Sequence, residues 1–224
     1  IFQCVISEKF KFEFDCDSFL FYRVLRTLNP SPYLFLLDFD DESLIGSSPE
    51  MLVKVAEGTI ETSPIAGTRP RGINFKEDEK YIKQLNASVK EKAEHLMLVD
   101  LGRNDIGRVS KPGTVKVTKF MNVEKYSHVM HLVSFVEGRL ETKISPWKAF
   151  TSCFPAGTLS GAPKVRAMQI ISDLEKTDRS TYGGAVVFNT FHNDLLSCIT
   201  IRSLYRNKEK AVVQAGAGVV ADSN

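Results

Sequence analysis

Tryptophan occurs once in this chain, histidine four times and cysteine four times among 224 residues. Cys4, Cys16, Cys153 and Cys198 form no C-x-x-C pair and have no histidine at zinc spacing. That excludes a zinc knuckle, argues against a disulfide framework, and predicts a reducing, cytoplasmic setting. An excess of one charge sign is also missing. Lys+Arg 29 against Asp+Glu 27 leaves +2, so no global basic field points to nucleic acid. No apolar run reaches the roughly 18–20 residues of a membrane span, and no signal peptide opens the chain. Internal repeats and low-complexity linkers are absent, so one domain over residues 1–224 is expected, and without the Walker G-x-x-x-x-G-K-[ST] spacing nucleotide binding is not the natural reading. The chain opens on Ile1 and stops at Asn224 with no terminating pattern, which reads as a piece of a longer polypeptide.

What is present is 43% hydrophobic residues, enough for a substantial core. Tyr33–Phe39 reads as a buried strand after the turn-forming Asn29-Pro30-Ser31-Pro32. Met51–Ala56 and Thr59–Thr62 flank Glu57-Gly58 as a hairpin. Asn74 with Glu77 resembles a capping box, and Ile82, Leu85, Val89, Ala93 and Leu96 predict one amphipathic helix beyond it. Gly184–Phe191, Leu195–Leu204 and Ala211–Val220, separated by polar turns, predict an antiparallel meander. Strands and helices segregated in this way predict an α+β class, with antiparallel sheets and helices packed outside.

The string FPAGTLSGAPKVRAM, Phe154 to Met168, is the most informative segment. A small-residue loop feeds a helix start, with Ser160 as expected N-cap and Pro163 in the first turn. Val165, Met168, Ile171 and Leu174 recur at helical spacing. Free backbone N–H groups at such a start suit an anionic ligand. Glu91 and Glu94 lie three apart and share a helix face, a pattern open both to a solvated surface and to a cation site. His131 alternates with Val129, Val133 and Phe135 and is expected to point inward, with His128 on the opposite face. Arg202 is expected on a strand face with Cys198 and Thr200, where a guanidinium can hold a carboxylate through two hydrogen bonds. Gly216 and Gly218 weaken a strand, and close approach of a ligand is one reason for them. The same residues satisfy G-x-G-x-x-A, but no helix or acidic residue follows as a dinucleotide site requires.

Five long strings resemble the chorismate-utilising enzymes, and among them the anthranilate synthase large subunits. They are the segment just quoted, SPIAGTRPRG (Ser63–Gly72), EKAEHLMLVDLGRNDIGRV (Glu91–Val109), VEKYSHVMHLVSFVEG (Val123–Gly138) and YGGAVVF…IRS…VQAGAGVVADS (Tyr182–Ser223). The resemblance implies the chorismate-binding fold and an enzyme that binds magnesium through Glu94, assisted by Glu91. Glu50 would be the general acid that protonates the departing C4 hydroxyl of chorismate, and His131 would serve in the elimination of pyruvate. Substrate contacts would come from Gly67, Thr68, Thr158, Tyr182, Arg202, Gly216, Ala217 and Gly218. Pro32, Tyr33 and Leu34 of NPSPYLF would touch tryptophan as feedback inhibitor. A glutamine amidotransferase would supply ammonia in a hetero-oligomer. The N-terminal region and the helix carrying the family's second pair of metal glutamates are expected to be lacking here.

Two positions separate the family's reactions. Aminodeoxychorismate synthases resemble PIKGT, with a nucleophilic lysine where this chain has Ala66. Isochorismate and salicylate synthases use an early lysine to activate water; the corresponding residue is Gln3, which can only hydrogen-bond. Ammonia needs no such base. Synthesis of anthranilate and pyruvate from chorismate, the first step of tryptophan biosynthesis, is therefore expected ahead of isochorismate synthesis or a purely chorismate-binding fragment.

Overall fold

A computed structural model describes residues 1–221 and Ser223. In chain order the elements are β1 (Gln3–Glu13), α1 (Ser18–Leu28), β2 (Tyr33–Phe39), β3 (Glu42–Ser48), β4 (Met51–Ala56), β5 (Thr59–Thr62) and β6 (Ile65–Pro70). There follow α2 (Phe75–Ala87), α3 (Val89–Gly107), β7 (Lys116–Lys125), β8 (Val129–Arg139), α4 (Pro146–Cys153), α5 (Gly157–Ser160) and β9 (Gly161–Ala162). The chain closes with α6 (Lys164–Leu174), β10 (Ala185–Asn189), β11 (Leu195–Ile199), β12 (Ser203–Asn207) and β13 (Lys210–Val219). The fold is α+β with antiparallel sheets, and helices cover one face of each.

Two compact units emerge: residues 1–51, 155–187 and 197–224, and residues 52–154 with 188–196. They interleave along the chain, the division running through β10 and β11, so no linker composition marks it.

In the first unit a six-stranded sheet runs β2-β3-β12-β13-β1-β9. Alternation along β1 puts Cys4 and Ile6 under Ala167, Ile170 and Ile171 of α6. The same face continues through Ile45, Leu204 and Ala211 beneath Phe21, Tyr22 and Leu25 of α1. Asp17 caps α1 by accepting from Leu20 N at 2.7 Å. The opposite face carries Gln3, paired with Ala162 of β9, and Ser7, paired with Gly216 of β13. Ser160 is not the cap of α6. It ends the short α5, its hydroxyl donates to the Ala156 carbonyl, and α6 begins after Pro163 without a side-chain cap. The expected stripe is also displaced, because Val165, Met168 and Leu174 are exposed and only Ile171 of that set is buried.

In the second unit the order is β4-β5-β8-β6, with β7 on β8. The expected single helix is broken at Ser88, which closes α2 and caps α3 by accepting from Glu91 N. Val89 is left outside, and α3 buries His95, Leu98, Val99, Gly102 and Ile106 instead of Ala93 and Leu96. The expected capping box forms in its first half: Asn74 accepts from Glu77 N, while Glu77 Oε2 accepts from Ile73 N, one residue before the N-cap, instead of from Asn74 N. Leu85 packs on Met130 and Leu132, so the helices cover the even-numbered face of β8. The C-terminal meander divides as well. Arg202 adopts φ +48 between β11 and β12, and the chain leaves one sheet there to enter the other. Among the described residues no helix is long and apolar enough to cross a membrane.

Candidate active site

The first unit gathers one cluster of the expected residues. Glu50 immediately precedes β4 and is 9% exposed. Thr158, held on α5, donates its hydroxyl to Glu50 Oε1 at 2.8 Å. Burial pushes the carboxyl up to about 7; the Thr158 bond and the Arg202 charge pull the other way without overcoming it. A carboxyl that stays protonated to neutrality can give a proton to a leaving group. Arg202 is exposed on the bend between strands, not on a strand face as expected, because its left-handed backbone interrupts the run. Its carbonyl accepts from Ser47 N at 3.1 Å, which fixes the bend to β3.

Gln3, Tyr182, Gly216 and Gly218 form the adjoining wall. Gln3 is buried and pairs with Ala162 of β9. A Cβ on Gly216 would stand 2.7 Å from Tyr182 Oη, and one on Gly218 would collide with Gln3 Nε2. The two glycines thus admit side chains of the wall itself. Ala217 pairs with Ile6 and lies on the helix-bearing face, so only its backbone belongs to this wall. β13 runs on to Val219, and Asp222 lies outside the described residues.

A supporting network here was not foreseen. Arg179 donates to Glu175 Oε1 and Oε2 at 2.6 and 2.8 Å, and to the carbonyls of Val5 and Leu159. Glu175 accepts from Ser7 N and Oγ, and the guanidinium lies 5.7 Å from the Tyr182 ring centroid. The Glu175/Arg179 spacing of four was its only signal in the sequence. Pro32 is exposed, while Tyr33 and Leu34 are half-buried at the start of edge strand β2.

The second unit gathers the rest. Thr68 pairs with His131 across β6 and β8, and a register shift between Ala66 and Thr68 marks a bulge at Gly67, φ +71. His131 Nδ1 lies 3.0 Å from the Gly67 carbonyl and 3.1 Å from Thr68 Oγ1. His131 is buried, but on the face away from α2 and α3, since Met130, Leu132 and Ser134 take the helix side. His128 sits exposed in the preceding turn rather than on the strand. Glu91 and Glu94 are half-buried on the inward side of α3. Among the described residues no three His, Cys, Asp or Glu side chains converge as a metal site. Two carboxylates on one helix face nevertheless suit magnesium, which takes one or two carboxylates and keeps several waters. His95 was also missed. It is fully buried, bonds Ser134 Oγ at 2.6 Å, and burial lowers its pKa to about 4, so it is neutral.

A family model described as chorismate binding enzyme matches residues 1–224. Anthranilate synthase component 1 of Acetivibrio thermocellus is 56% identical over 223 residues, covering 100% of this chain and 45% of the relative. The crystal structure of anthranilate synthase component I from Streptococcus pneumoniae superposes with TM-score 0.93 at 47% identity, covering 100% of this chain and 49% of that one. The menaquinone-specific isochorismate synthase of Escherichia coli superposes with TM-score 0.91 at 22% identity over 100% of this chain and 52% of its own, a likeness of fold alone. The chain spans about half the length of the relatives it matches.

Proposed function

Because the chain belongs to the chorismate-binding enzyme family, we propose that it carries the catalytic residues of an anthranilate synthase large subunit, acting on chorismate and ammonia. The observation that carries this is Glu50, a buried carboxyl protonated up to about 7 and anchored by Thr158. Ammonia adds at C2 of the ring. The C4 hydroxyl departs as water with the proton of Glu50. Loss of the C2 proton then aromatises the ring as the C3–O bond breaks, releasing anthranilate and pyruvate, and His131 assists this elimination. Gln3 and Ala66 support ammonia as the nucleophile, since neither provides an amine that could attack or activate water. Arg202 pairs with a substrate carboxylate.

Glu94, with Glu91, would hold magnesium, whose charge would neutralise the substrate carboxylate. A glutamine amidotransferase subunit supplies the ammonia, and tryptophan acts at Pro32, Tyr33 and Leu34 as inhibitor. The test is anthranilate fluorescence from chorismate, ammonium and magnesium in the complete polypeptide, with Glu94→Ala as control. The reading expects magnesium-dependent product that the substitution abolishes. A variant with wild-type activity and the same magnesium requirement removes Glu94 from the metal site. Chorismate binding without product favours a binding module.

A further inference from the structure

Glu91 does more than present an oxygen to a cation. Arg69 Nη1 donates to Glu91 Oε1 at 3.1 Å and to the Thr68 carbonyl at 2.7 Å. The pair is partly buried, its side chains 27% and 20% exposed. Glu91 also packs on the bulge, since a Cβ on Gly67 would stand 3.1 Å from Glu91 Oε2 and from Leu85 Cδ1. A glycine at φ +71 has many conformations open to it, so something must hold it. The held group is the Gly67 carbonyl, which faces His131 Nδ1 at 3.0 Å. A carbonyl only accepts, so Nδ1 carries the proton and Nε2 is the basic nitrogen of the neutral ring. Tyr126 meets the same ring edge-on, centroids 5.5 Å apart.

We propose that Arg69 and Glu91 are positioning residues for His131: their ion pair clamps the Gly67 bulge, and the bulge carbonyl sets the tautomer and orientation of the imidazole. The clamp joins the helix-covered side of the sheet, where α3 lies, to the opposite side, where His131 works. Its catalytic consequence rests on the role of His131 proposed above.

The test compares Arg69→Gln, Glu91→Gln and the double variant in the complete polypeptide. Nitrogen NMR of the histidine rings, assigned with His131→Asn, reads the tautomer without chorismate; a second assay compares pyruvate released with chorismate consumed. The native protein should show the Nδ1–H form of His131. Each single variant should show a mixture and slow pyruvate release relative to chorismate consumption by about tenfold to a hundredfold. The double variant should be no worse than either single one, because the pair acts as a unit. Arg69→Gln removes no carboxylate and so separates the clamp from any metal role of Glu91; if it fails to fold, the His131 tautomer of Glu91→Gln, read without magnesium or chorismate, carries the test. An unchanged His131 signal in a folded variant, a tautomer change with an unchanged product ratio, or additive losses each overturn the proposal. Because the NMR needs no substrate, a native protein that makes no anthranilate would defeat the function while leaving the clamp measurable.

Discussion

Replacing Glu50 with Gln should stabilise the protein at alkaline pH while stopping its chemistry. The folded chain raises this carboxyl from an ordinary value of 4.5 to about 7, chiefly by burial. Below 4.5 the group is protonated in both folded and unfolded chains and costs nothing. As pH rises from 4.5 through about 7, the unfolded state ionises first, and native stability falls. Each tenfold difference in proton affinity is about 1.4 kcal/mol, so the full penalty is about 3 kcal/mol. Glutamine keeps the size and can still accept from Thr158, but it cannot ionise. For a chain of this length that gain is about 6–12 °C in melting temperature. The assay is a pair of thermal melts of native and Glu50→Gln protein, near pH 4 and near pH 8, beside a chorismate-consumption assay. The expected result is equal melting near pH 4, a more stable variant near pH 8, and no turnover by the variant. Equal melting differences at both pH values would refute the claim that burial holds the carboxyl protonated. A variant with normal turnover would remove Glu50 as the acid.

His131→Met should still consume chorismate with ammonium and magnesium but accumulate the amino-deoxy compound that retains its pyruvyl group, read by product mass. Normal anthranilate formation in a stable variant would take His131 out of the mechanism. Arg202→Lys keeps the charge and loses the planar fork, so chorismate binding should weaken by about 1.5–3 kcal/mol, roughly ten- to a hundredfold; an unchanged KM and kcat would place Arg202 outside the site. Gly67→Ala forces a side chain into φ +71 against Glu91 and Leu85 and should cost about 1–3 kcal/mol in urea melts, an effect absent if the bulge is loose.

Local pattern was the legible part of this fold. Tyr33–Phe39, Met51–Ala56 and Thr59–Thr62 stand as strands at the bounds their apolar runs and turn residues predict, but Tyr33–Phe39, expected to be buried, is an edge strand in which only Phe35 is buried. The side-chain cap at Asn74 likewise contains its own chemistry. Features set by tertiary neighbours were hidden. Nothing local shows that Arg202 turns the chain between sheets. The helical period runs smoothly through Ser88, although its backbone N–H donates to the end of α2 and its hydroxyl accepts from the start of α3. For the candidate site, the residue types and spacings were visible, whereas their chemistry came from contacts far apart in sequence. Glu50 meets Thr158 108 positions away, and His131 meets the Gly67 carbonyl 64 away. His95 and the Glu175–Arg179 pair carried no signal beyond residue type and spacing, since burial gives the first its character and hydrogen bonds to residues distant in sequence give the second its own.

The most direct test is to give the complete polypeptide chorismate, magnesium and ammonium labelled with heavy nitrogen, and to weigh the aromatic product. The account predicts anthranilate carrying the heavy nitrogen, with one pyruvate released for each. Isochorismate formed equally well without ammonium, or an aromatic product without nitrogen, would contradict it.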